Sequence, residues 1–283
     1  VPYLRRLLFF LLGLPLTLAA QGTPPAPNAA PLAIGQTFTI QSKVLGETRR
    51  LNVYLPPGYA DSAALRVPVL YMPDGGLGED FLHVAGLIQV LVGNGTMRPF
   101  LLVGIENTQR RRDLTGPTTN EEDRKIAPRV GESAAFRQFI RTELMPEIER
   151  RYRTTPEKAI VGESLAGLFV VETLLLEPTL FSTYLAFDPS LWWNREQLAA
   201  QAGRWLAPAG APQTLYLATS NEPEITAATR RLVKKLGTPV GPLLRWYYEP
   251  LPRETHQTIY HPAALRAFRT VFGPLPPKAT PSR

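Results

Sequence analysis

Along most of the chain, short continuous apolar runs alternate with stretches in which apolar residues recur every three or four positions. Val67–Met72 (VPVLYM) and Phe100–Ile105 (FLLVGI) are closed by Pro73-Asp74-Gly75-Gly76 and by Glu106-Asn107, the pattern of strands buried on both faces. Ala159–Val161, Tyr184–Phe187, Thr214–Thr219 and Leu244–Tyr248 predict four further strands. Helical spacing of Phe136, Phe139, Ile140, Leu144 and Ile148 predicts one helix from about Glu132 to Tyr152. Others are expected from Leu165 to about Leu176, near 195–206 and 224–236, and over Pro262–Phe272. Ahead of them, Phe38–Val44 and Arg49–Leu55, joined by Gly46-Glu47, read as a hairpin. Strands that alternate with helices predict the α/β class: a mainly parallel sheet covered on both faces, with an N-terminal antiparallel hairpin. Functional residues then belong at the carboxyl ends of the strands. With no internal repeat and no second boundary, residues 36–273 read as one domain.

The ends follow other patterns. Arg5-Arg6, the apolar run Leu7–Leu18 and Ala19-Ala20 have the basic, apolar, small-residue order of a secretory signal peptide over residues 1–20. The run is shorter than the roughly 20 residues of a relaxed membrane span; an uncleaved anchor is the alternative. Residues 21–35 read as a Pro/Ala-rich tether and 274–283 as a Pro-rich tail. The expectation is a periplasmic or secreted protein without stable membrane insertion after signal cleavage. Composition is that of a globular chain, 44% hydrophobic and 19% charged. Loss of Arg5 and Arg6 would lower the net charge from +7 to +5, a modest excess, and no basic stripe interleaved with aromatics suggests nucleic acid. The absence of cysteine excludes disulfides, thiolate metal sites and a Cys nucleophile; with three histidines (His83, His256, His261) a His-rich metal site is not expected.

Gly162-Glu163-Ser164-Leu165-Ala166-Gly167 lies between a strand and a helix. The pattern G-x-S-x-[AG] there suits a turn so sharp that the serine is strained and small residues must flank it. The competing use of Ser164 is a helix N-cap. As a nucleophile, it would leave the Leu165 N–H at the helix N-terminus, where an oxyanion is favoured. In the order Ser, acid, His, the base must follow Ser164. His256, in the polar loop Arg253–Thr258, is preferred over His261, which precedes Pro262 at a helix entry; His83 reads as a packed helix residue. Glu222, just before Pro223, is the preferred acid; Glu224 suits the first turn of the next helix. Asp188, the other acid at a strand end, reads more as a brace for the loop before Trp192-Trp193, and the choice of acid among Glu222, Glu224 and Asp188 stays open.

Five collinear strings resemble the bacterial esterase family of the α/β-hydrolase superfamily that includes enterochelin esterases and, more distantly, S-formylglutathione hydrolases and mycolyltransferases. They are Val69–Gly76 (VLYMPDGG), Ile105–Thr115 (IENTQRRRDLT), Ile160–Phe169 (IVGESLAGLF), Phe187–Trp193 (FDPSLWW) and the histidine loop Glu254–Thr258, within a resemblance covering roughly residues 36–273. The resemblance implies an α/β-hydrolase fold, Ser164 as nucleophile, His256 as general base, and an oxyanion hole from the N–H groups of Gly76 and Leu165. Glu222 is similar to the acid of some members, in a poorly matching region. Glu163 departs from the family's usual His, and Ala166 from its Gly.

The implied activity is hydrolysis of a carboxylic ester through an acyl-enzyme, with no metal or organic cofactor. Arg110 and Arg112 are candidates to grip an anionic group, against the alternative that Arg112 pairs with Asp113 to hold its loop. Trp192 and Trp193 could wall an acyl pocket or stack on an aromatic substrate, against core packing. A small-molecule ester, anionic or aromatic, is the expected partner. The choice among a siderophore trilactone, a short-chain ester and an aromatic or acylated-sugar ester stays open, as do acyl transfer and non-catalytic binding on a hydrolase fold.

Overall fold

A computed structural model of the chain describes residues 30–205, 211–237 and 243–274. The expected targeting segment, residues 21–29 of the tether and 275–283 of the tail lie outside them. Eight apolar runs become one sheet: β1 (Gln36–Ser42), β2 (Glu47–Tyr54), β3 (Val67–Pro73), β4 (Leu101–Ile105), β5 (Thr154–Glu163), β6 (Thr183–Phe187), β7 (Gln213–Thr219) and β8 (Leu244–Pro250). Their order across the sheet is β1-β2-β4-β3-β5-β6-β7-β8. β2 is antiparallel to β1 and β4, and every later pair is parallel. Parallel neighbours need crossover helices, which cover both faces. Every residue of β3, β4 and β6 is accordingly buried, and these are the runs with no polar alternation.

Two apolar layers result. On one face, α1 (Phe81–Gly93) and α9 (Tyr260–Val271) pack on the sheet through Val84, Ile88, Ala264 and Phe268. The opposite layer holds α4 (Ser133–Phe139), α5 (Met145–Arg151), α6 (Leu165–Leu176), α7 (Trp193–Trp205) and α8 (Pro223–Leu236). In α8, Ile225, Ala228, Leu232 and Leu236 form a single buried stripe, and Pro223 opens the helix where its missing N–H costs nothing. By contrast, α6 is buried all round from Leu165 to Leu175, so its sequence carries no polar face. No helix among the described residues is long and apolar enough to cross a membrane.

Three departures from the sequence reading have local causes. The single helix expected to Tyr152 is α4 and α5 joined by a π-helical turn, Ile140–Leu144. Pro146 follows one residue beyond it; it has no N–H for the carbonyl four residues back and its ring would crowd that carbonyl, so the wider turn relieves the clash. β5 runs back to Thr154, through polar residues that apolar counting passed over, because it pairs with β3 from Val67 onward. Two short helices, α2 (Arg110–Leu114) and α3 (Glu121–Lys125), are too polar to show an apolar period.

What holds α2 is a buried ion cluster. Arg49 of β2 and Asp113 are both fully buried and meet at 2.5 Å. Arg112 donates to Asp113 at 2.6 Å and to both oxygens of Glu47, and Arg49 also reaches Thr108 and the Glu106 carbonyl. The Arg49 guanidinium lies over the Phe136 ring, 5.2 Å from its centre. Hydrogen bonding from Arg112, working against burial, holds the Glu47 carboxyl down to about 2.

Two tests follow from this cluster. Asp113→Ala leaves two buried guanidinium groups with Glu47 as their one remaining carboxylate, so urea denaturation should show a loss of about 3–5 kcal/mol. Arg111→Ala, on an exposed side chain of the same helix, should stay within about 0.5 kcal/mol. Because the Glu47 value in the fold lies below its ordinary 4.5, the stability it contributes is present above pH 4.5. That contribution is lost as the pH falls towards 2, which an acid titration of Glu47→Gln against the parent would resolve.

Candidate active site

Ser164 sits between the carboxyl end of β5 and the first turn of α6, with φ 60° and ψ −120°. A left-handed backbone in a non-glycine residue costs on the order of 1–3 kcal/mol, so the surroundings must impose it. They do so through three main-chain bonds: the Ser164 N–H to the Phe187 carbonyl (3.0 Å), and its own carbonyl accepting from Leu168 (2.9 Å) and Ser190 (3.0 Å). A Cβ on Gly162 would fall 2.6 Å from the Ala166 backbone, so glycine is obligatory two residues before the serine. The elbow expected from the sequence is therefore present, and Ser164 is not a side-chain cap of α6.

His256 hangs in the loop between β8 and α9. Its Nε2 lies 3.1 Å from Ser164 Oγ and its Nδ1 lies 3.0 Å from Asp188 Oδ2. Asp188 follows the last residue of β6, is fully buried and has φ 42°. The Ser220 N–H donates to its Oδ1 at 2.6 Å and the Ser220 hydroxyl to its Oδ2 at 2.5 Å. The acid facing the histidine is thus Asp188, and the expectation of Glu222 is corrected. Glu222 is the residue before α8; its N–H donates to Ser220 Oγ and its carboxylate adds only a longer-range charge at His256. Glu224 stands in the first turn of α8. The hydrogen bond that His256 Nδ1 donates to Asp188, opposed by burial and reinforced by the charges of Glu163, Asp188 and Glu222, raises His256 above its ordinary 6.5.

Glu163, the last residue of β5, places Oε1 3.3 Å from the same Nδ1. Burial above all, with Asp188 and Asp74 nearby, pushes its carboxyl up to about 8 against the opposing pull of His256 and Arg110. Glu163, Asp188 and His256 bring one atom each within 4.8 Å of one another, with Nδ1 and Oδ2 facing each other at hydrogen-bond distance. Of the two expected oxyanion donors, the Leu165 N–H stands at the start of α6 beside Ser164. The Gly76 N–H points instead to Glu79 Oε2 at 2.6 Å, so that donor is occupied by an exposed carboxylate.

The family model described as "Putative esterase" matches residues 42–217, which span Ser164 and Asp188 and stop short of His256. The chain belongs to this esterase family. It is 31% identical over 169 residues to the ferri-bacillibactin esterase BesA of Bacillus subtilis, covering 53% of this chain and 56% of that one. It is 30% identical over 190 residues to a siderophore triacetylfusarinine C esterase of Aspergillus fumigatus, 59% and 60% of the two chains. The matched part thus spans little more than half the length of these relatives. Among solved structures, an IroE-like serine hydrolase from Shewanella oneidensis superposes with a TM-score of 0.76 at 30% identity, over 84% of this chain and 80% of that one.

Other residues expected at the site divide. Arg110 is at the site's edge, held by two bonds of 2.7 Å to Asp74, which also accepts from Asn107. Arg112 is corrected: it is buried in the ion cluster beneath α2 and serves the fold. Trp193 is likewise corrected, being buried with its indole N–H on the Gly116 carbonyl at 2.8 Å. Trp192 stays half-buried and lines a cavity of about 570 Å³ with Arg195, Glu196, Pro223 and Arg231. His83 and His261 contact each other, ring nitrogens 3.0 Å apart, through α1 and α9. Sequence reading preferred a bracing role for Asp188 while leaving it open as the acid, and left Glu163 and Ser220 without a role. A signal was present, since Asp188 ends an apolar strand directly before Pro189.

Titration of His256 by NMR tests the assignment of the acid. Asp188→Ala should lower its pKa, and by more than Glu222→Ala does, because only Asp188 is hydrogen-bonded to the ring.

Proposed function

We propose that this chain is a serine ester hydrolase acting on a cyclic siderophore ester of the trilactone type. The observation that carries the catalytic reading is the unbroken run from Ser164 Oγ through His256 to Asp188, at 3.1 and 3.0 Å, beginning on a strained elbow. Ser164 Oγ attacks the ester carbonyl as its proton passes to His256 Nε2. The carbonyl oxygen becomes an oxyanion beside the Leu165 N–H. Collapse breaks the bond to the alcohol oxygen, which takes the proton from Nε2. Water, activated by the same nitrogen, then releases the acid and frees Ser164. Asp188 keeps Nδ1 protonated and turned away from the serine. Gly76 joins the oxyanion hole once Glu79 leaves its N–H; an exposed carboxylate, competed for by water, yields that position at small cost.

The relatives support the siderophore substrate, which the sequence reading held as the alternative to a general carboxylic ester. A cavity of about 520 Å³ lined by Gln109, Arg110, Arg111, Pro128 and Arg129 supports an anionic substrate, since Arg110 borders both it and the Asp74 side of the site. The signal-like pattern of residues 1–20 supports action outside the cytoplasm, in the periplasm or beyond.

Hydrolysis of p-nitrophenyl esters and of a ferric and an iron-free tricatecholate trilactone would test the proposal together. Ser164→Ala should lower kcat by about 10³-fold or more on whichever ester is cleaved. Trilactone opening with a higher kcat/KM than any p-nitrophenyl ester is the expected order. Folded protein that cleaves neither sinks the catalytic reading, and p-nitrophenyl activity alone sinks the siderophore one. Since His256 must be neutral to take the proton and its pKa is raised, kcat/KM should climb with pH to a plateau reached above the ordinary histidine range.

A further inference from the structure

β5 and β6 are parallel, and their register pairs Glu163 with Phe187, so Glu163 and Asp188 leave neighbouring strand ends one step apart. Both carboxylates then arrive on the same side of one imidazole: Asp188 Oδ2 at 3.0 Å and Glu163 Oε1 at 3.3 Å from His256 Nδ1. Asp188 is fully committed, with Ser220 on both its oxygens. Glu163 is not. Its Oε1 is buried and has no hydrogen-bond donor, an arrangement that costs an ionised carboxylate heavily unless a positive charge forms beside it.

Resting on the serine esterase reading above, we propose that Glu163 is a positioning residue, a second carboxylate for His256 that acts through the imidazole and sets the pH at which Ser164 is activated. A neutral Glu163 beside a neutral imidazole, and an ionised Glu163 beside an imidazolium, are the two arrangements that burial and proximity favour. Proton uptake by either group is thereby coupled to release by the other. The groups that face Glu163 are His256 from the last loop, Asp188 from the end of β6, Arg110 of α2 and Asp74 from the end of β3. The buried Tyr260 hydroxyl of α9 also feels its charge, and the charge of Glu222 acts on His256. Burial raises the Glu163 carboxyl to about 8, within reach of the histidine's own range, so the two titrate as a pair. During acylation the proton from Ser164 moves to Nε2, Nδ1–H stays between the two acids, and the new positive charge meets Asp188 and Glu163 together.

Glu163→Gln keeps the shape and removes the ionisation, which makes it the test. The kcat/KM profile of the variant should show its acid limb moved to lower pH, and NMR titration of His256 should show the ring losing its proton at lower pH than in the parent. Coincident His256 titrations for parent and variant overturn the proposal. The NMR readout needs no turnover, so failure of the esterase reading is seen separately. Hydrolysis that survives Ser164→Ala would remove that reading, whereas an unmoved His256 titration with a fully serine-dependent esterase would remove only the role of Glu163.

Discussion

The structure turns on the left-handed backbone at Ser164. Nothing local favours it; the chain is forced into it by the β5–β6 register below and by α6 starting without an intervening loop. Two main-chain partners of the elbow, the Phe187 carbonyl and the Ser190 N–H, flank Asp188 on the next strand end. The bonds that hold the strain at Ser164 therefore also fix the position of Asp188. Strain recurs at Asp74 (φ 57°) and Asp188 (φ 42°), so three neighbouring strand ends in the parallel half of the sheet carry acids or the serine in left-handed conformations. Such positions persist only where the packing around them is over-determined. Here β3 and β6 are buried along their whole length.

Charge is distributed on two levels. Below α2, Arg49, Arg112, Asp113 and Glu47 neutralise one another away from water and hold the loop that carries Arg110. Above, the charges that act on His256 are those of Glu163, Asp188 and Glu222, and Arg110, tied to Asp74, acts on Glu163. An imidazole in that field holds its proton more tightly, which makes it a stronger base once neutral. In the proposed mechanism the same field burdens a developing oxyanion, which raises the demand on the main-chain donors proposed for it.

A good part of the molecule was legible along the chain, because buried parallel strands and amphipathic helices leave periodic apolar traces. α6 begins at Leu165 and ends at Leu176 as the apolar pattern predicts, and β6, β7 and β8 begin within a residue of their apolar runs. Ser164 and His256 were legible for a different reason: a strained elbow demands small residues around it, and few histidines competed. The acid was not. Glu222 and Asp188 both follow a strand and precede a proline, and both satisfy the chain order. Which of them reaches Nδ1 depends on the lateral position of β6 and β7 and on the path of the loop through Ser220.

The sequence by itself determined the alternation of strands and helices, the small residues that an elbow requires and the choice of Ser164 and His256, since each rests on residues close in the chain or on composition alone. Tertiary structure alone decided that Asp188 faces His256, that Arg112 and Trp193 belong to the fold, that Glu79 occupies the Gly76 N–H and that Glu163 shares the imidazole. Each of those depends on the distance between side chains from elements far apart in sequence. Register and crossover path set such distances, and neither leaves a local trace in the order of residues.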